Sequence, residues 1–95
     1  MDTEQLLTLG ARGVHLLFDN AEIEAAFERD AAELREEVAG RYAEVQGAIA
    51  ALMDLDDVDE GRALIGSLDD EIRHVLVLIY FDLLDSHVRR VATLQ

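Results

Sequence analysis

SLDDEIRHVLVLIYFDLLDSHVRRVAT, residues 67–93, is the stretch that decides the fold. Ser67 followed three residues later by Asp70 is spaced like a helix-capping pair. Asp69, Asp70 and Glu71 place acid at the start, while His87, Arg89 and Arg90 place base toward the end, and both complement a helix dipole. The spacing predicts a helix from Leu68 to Thr93. On a helical wheel Ile72, Leu76, Ile79, Tyr80 and Leu83 share one face, and Val77, Phe81, Leu84 and Val88 widen it to roughly 200° of arc. The seven apolar residues Val75–Phe81 also read as a buried strand, but the cap before them and the amphipathic spacing after them decide for helix. A helix this apolar belongs in the middle of a bundle. One long partner helix is too little to cover it, so a second copy of the chain is expected.

Outward from this helix the pattern stays helical. Asp19 with Glu22 forms a capping box. No proline interrupts the chain from Asn20 to Met53, where Ile23, Phe27, Leu34, Val38, Val45, Ile49 and Leu52 keep to one narrow stripe with coiled-coil-like steps. Read as one helix it would be about 50 Å long at ~1.5 Å per residue, with bends allowed at Gly40 and Gly47. Asp30 and Arg41 intrude on the edge of the stripe and are expected to find polar partners there. A row of alanines (Ala21, Ala25, Ala32, Ala39, Ala43, Ala50) offers a second, smaller face. A first helix is expected from Thr3 to Phe18, capped by Asp2 and weakened by Gly10 and Gly13. Asp54–Glu60 reads as an acidic connector before a short helix, Val58 to Ile65. The expected fold is all-α, a single domain over residues 1–95. Its core is a long helical hairpin with two shorter helices, expected to pair into a dimeric helical bundle.

Composition narrows the function. The 95 residues hold 21 acids and eight bases, all arginine, for a net charge of −13. Such a chain has no basic face for nucleic acid. It has no cysteine, hence no disulfide or thiolate chemistry. The acidic amino terminus is unlike a signal peptide, and no apolar run approaches the ~20 residues of a membrane span. A cytoplasmic protein is expected, with no contact to membrane or nucleic acid. Its acidity, with no lysine at all, suits genome composition, a salt-rich setting or a basic partner.

Glu71-Ile-Arg-His74 has the Glu-x-x-His spacing with which carboxylate four-helix bundles hold two metals. Glu71 and His74 are therefore the candidate metal ligands, but both fall on the polar side of their helix, where a bundle site needs them inward. Asp54–Glu60 fails as a calcium loop, since its glycine position is Asp59 and its twelfth position Ile65. His15 carries no signal of its own. His87, by contrast, lies on the apolar side of its helix beyond Tyr80 and Leu83, with Arg90 at its edge. Tyr80, Leu83, Leu84, His87, Val88 and Arg90 are therefore the expected contact surface. Glu33, Glu37 and Glu44 are the acidic counterpart on the Asn20–Met53 helix, and the candidate further donors if Glu71 and His74 hold a metal. No spacing supports a catalytic triad or a phosphate loop, and no cofactor is expected. The expectation is a homodimeric interaction, adaptor or regulatory protein rather than an enzyme, meeting a partner through an apolar or acidic helix face. The first alternative is an acidic inhibitor or nucleic-acid mimic, and the second a metal-binding, ferritin-like bundle.

Overall fold

A computed structural model describes residues 2–94, the last of them as backbone only. Six α-helices and one 3-10 turn follow one another, with no strand among the described residues: α1 Thr3–Ala11, α2 Asn20–Glu28, α3 Ala31–Val38, the turn Ala39–Arg41, α4 Tyr42–Asp54, α5 Val58–Gly66 and α6 Asp70–Leu94. The all-α expectation holds. The expected long hairpin is not made of two continuous helices: the one expected from Asn20 to Met53 is divided, while the last helix runs nearly as expected, and the first helix, expected to reach Phe18, stops at Ala11.

Gly13 ends the first helix. It adopts φ +87°, its N–H donates to the Gly10 carbonyl, and the Val14 N–H reaches back to the Leu9 carbonyl. That left-handed glycine stop satisfies the last carbonyls. It frees residues 12–19 to turn and drive Leu17 and Phe18 into the core.

The expected helix from Asn20 to Met53 is three helical pieces. Arg29 takes an extended conformation, and Asp30 caps a new helix by accepting from the Ala32 and Glu33 amides at 2.9 and 3.2 Å. A second break, at Ala39–Arg41, contains Gly40, whereas Gly47 sits inside α4 without interrupting it. The residue that intruded on the apolar stripe is therefore a helix cap, and the alanine row is divided among α2, α3, the turn and α4. Asp30→Ala tests this by sign. In a continuous helix alanine would stabilise by a few tenths of a kcal/mol. As the loss of an N-cap it is expected to destabilise by ~1 kcal/mol, measurable by urea denaturation.

The breaks give α6 its cover. α1, α2, α3 and α4 all pack on it, and the molecule measures 40 × 29 × 25 Å. Leu34, Ile65, Ile72 and Val77 are its most deeply buried large side chains. The first half of α6 is thus covered by helices of its own chain. Its start is fastened by Asp69, whose Oδ1 accepts from the Ile72 amide while Oδ2 lies 2.5 Å from Arg41. Ser67, expected to cap this helix, instead donates to the Leu64 carbonyl at the end of α5. Arg41 also reaches Glu44, so the residue that intruded on the stripe ties the turn before α4 to the start of α6. Arg41, and then the Ile72 amide, hold the Asp69 carboxyl below its ordinary value, and the Arg41 guanidinium is pushed above its own.

Candidate functional site

The expected contact surface on α6 divides in two. Tyr80, Leu84 and His87 face inward and are buried, whereas Leu83, Val88 and Arg90 are exposed. The burial has a specific cause in α1. Gly10 lies directly on Tyr80 and Leu84, close enough that no Cβ fits between them. The Tyr80 hydroxyl meets His15 Nδ1 at 2.8 Å, and burial pushes the phenol pKa up. His87, one face-turn further on, has its Nδ1 3.8 Å from Glu4 of α1.

On both sides of His87, apolar residues of α6 lie in the open. Leu83, Val88 and Val91 are 50%, 46% and 43% exposed. A groove of about 400 Å³ runs here between the two helices, lined by Glu4, Ala11 and Arg12 on the α1 side and by His87, Val88 and Val91 on α6. Residues 86–94 contain no acid and two arginines, in a chain of charge −13. Arg89 pairs with Asp85 one turn earlier, and Arg90 has no carboxylate partner among the described residues.

On the other side of α1, Leu83 and Met53 stand at the mouth of an apolar cavity of about 70 Å³ lined by Leu6, Leu7, Phe18, Leu52 and Leu76. That is about half the ~150 Å³ cavity that accommodates benzene. It has room for the tip of a side chain rather than a ring-sized ligand.

The acidic residues expected to work with this surface do not form one face. Glu33 and Glu37 belong to α3 and Glu44 to α4, across the 3-10 turn. Glu37 lies 3.7 Å from Arg29 and Glu44 is bound to Arg41, so part of this acid is neutralised within the chain. Glu71 and His74 are half-buried on α6, and no three His, Cys, Asp or Glu side chains among the described residues converge to hold a metal. The His74 Nδ1 is buried without a hydrogen-bond partner among the described residues, while its neighbour Arg73 bridges Glu22 of α2 and Asp70. No helix among the described residues is long and apolar enough to cross a membrane.

Two features escaped the sequence. His15 belongs to a ring cluster with Tyr80 and Phe81, at centroid distances of 5.6 and 5.1 Å. Phe27, expected in the buried stripe, is 54% exposed. The capping spacing of Asp30 and Glu33 was the available signal, since a helix start at that point releases Phe27 from the register of Leu34.

No family model matches the chain, and neither curated proteins nor solved structures give a match.

Proposed function

We propose that this chain is a non-enzymatic interaction protein that pairs with a second copy through the free end of α6. One observation carries the reading: the apolar line of α6 that is buried as Tyr80, Leu84 and His87 continues, exposed, as Val88 and Val91 beside an open groove. A helix end with this pattern gains by laying its apolar side into a groove. The second copy's own α6 end has the matching chemistry. It brings Val88 and Val91 to the groove together with Arg90, which has no carboxylate partner among the described residues, and the groove lining includes the exposed Glu4. Arginine and carboxylate make strong charge-assisted contacts in such a setting. The acid-free end also keeps the two acidic bodies apart. Salt screens the repulsion that remains, so this pairing strengthens as salt is raised. An acidic mimic bound to a basic site would show the opposite dependence.

Sedimentation equilibrium over a concentration series tests it. The wild type is expected to show reversible dimerisation that tightens with salt. Val88→Asp and Val91→Asp, which leave the core untouched, are expected to remain monomeric at the same concentrations. Dimerisation unaffected by both substitutions would reject this surface, and a wild type that stays monomeric throughout would reject the pairing.

A further inference from the structure

Phe27 and Phe81 form a second surface, separate from the α6 groove. The Phe27 ring stands edge-on to Phe81 at 5.2 Å between centroids. Phe81 is half-buried and touches the rings of His15 and Tyr80, each at 5.1 Å, and Tyr80 packs on the buried Phe18 at 5.6 Å. An unbroken chain of rings thus runs from the core to the surface. Phe27 is held from behind, so a partner resting on it spends little on ordering it.

The residues flanking the two rings along α2 and α6 are mostly acidic. Glu24 lies one helical turn before Phe27 and Glu28 directly follows it. Asp82 follows Phe81, and Asp85 lies one turn beyond. The cation nearest Phe27 in sequence, Arg29, is occupied by Glu37, and Arg89 is paired with Asp85. Glu24, Glu28 and Asp82 are exposed and have no ion partner among the described residues.

We propose that the Phe27–Phe81 pair with Glu24, Glu28 and Asp82 is a docking site for a basic amphipathic helix of a partner protein. An aliphatic side chain of that helix covers the two rings. Its arginines or lysines reach the three carboxylates, and a guanidinium laid on the Phe27 face gains a cation–π contact. The same carboxylates repel nucleic acid and anionic lipid. The site is independent of self-pairing, because it lies on α2 and the middle of α6 rather than on the groove with α1.

The test titrates the full chain into a fluorescein-labelled synthetic helix with leucines on one face and arginines on the other, read by anisotropy at physiological salt. Phe27→Ala is expected to weaken binding roughly tenfold or more, as removal of an interface anchor does. Glu24→Gln/Glu28→Gln is expected to weaken it similarly, with circular dichroism confirming that both variants stay folded. The equal charge change on α5, Asp59→Asn/Glu60→Gln, is expected to leave it within about twofold, since exposed charges beyond a Debye length are screened. A peptide with serines in place of the leucines is expected not to bind. The proposal is overturned if the α5 variant weakens binding as much as the α2 variant, or if the serine peptide binds equally well, because either result means unspecific charge attraction. It is also overturned if the Phe27 ring resonances shift with protein concentration in the absence of peptide, because a second copy then occupies the site.

Discussion

Leu34→Ala is expected to cost ~2–5 kcal/mol, the range for emptying a buried leucine site, while Phe27→Ala is expected to cost about 1 kcal/mol, the value of an aromatic pair contact. In the sequence the two residues are equivalent members of one stripe, seven positions apart. In the structure Leu34 is 1% exposed and Phe27 54%. The difference follows from the break at Asp30, after which α3 has its own orientation and points Leu34 at α6. For a domain of this size a total stability of ~5–10 kcal/mol is ordinary, so Leu34→Ala leaves a protein near its unfolding midpoint at modest temperature. Chemical denaturation of both variants measures the contrast. Equal losses at the two positions would mean that the helix is continuous and that the stripe is buried along its whole length.

Gly10→Ala is the second large effect, and its sign opposes helix propensity. Within a helix alanine is favoured over glycine by ~1 kcal/mol. Here the added Cβ meets the Tyr80 hydroxyl inside contact distance, and Leu84 Cδ1 at 3.1 Å. The Tyr80 ring has little room to yield, since His15, Phe18 and Phe81 surround it. Overpacking of this kind costs ~1–3 kcal/mol, so a net loss of about 1–2 kcal/mol is expected. In a domain under 100 residues each lost kcal/mol lowers the Tm by about 4–8 °C. Removing the hydroxyl separates the causes. Tyr80→Phe alone gives up the 2.8 Å hydrogen bond to His15 and is expected to destabilise the wild type by ~1 kcal/mol. In the Gly10→Ala background the same change relieves the clash and is expected to stabilise. Additive losses in the double variant would show that α1 does not press on α6 at Gly10.

What could be read from residues alone was the identity of the apolar positions. The wheel of α6 named Ile72, Leu76, Val77 and Tyr80, and all are buried. A wheel says which side of a helix seeks cover, not which chain supplies it. A second copy was expected because one straight helix from Asn20 to Met53 covers too little. The chain itself covers α6, since Arg29–Asp30 and Ala39–Arg41 let the same residues approach from several directions. Those breaks were visible only as single residues, a cap-forming aspartate and a glycine, against a helical periodicity that persists across them. Periodicity records local spacing, and a change of helix direction leaves it almost intact. The candidate surface was half legible for the same reason. Leu83 and Val88 sit on the apolar arc beside Leu84 and His87, and the short reach of α1, set by Gly13, decides which of them stay outside. Glu33, Glu37 and Glu44 share one acidic face only on a straight helix, and the turn Ala39–Arg41 separates them.

Amide hydrogen exchange, resolved by residue and repeated over a wide dilution series, is the most direct test of this division of α6. Residues covered by their own chain, from Ile72 to Leu84, are expected to keep the same protection at every concentration. Residues 88–93, left open in the single chain, are expected to exchange freely when dilute and to become protected as copies pair. Protection of Ile72–Leu84 that falls on dilution would place the core between copies and contradict the account. Residues 88–93 whose exchange ignores concentration would leave the α6 end without its second copy.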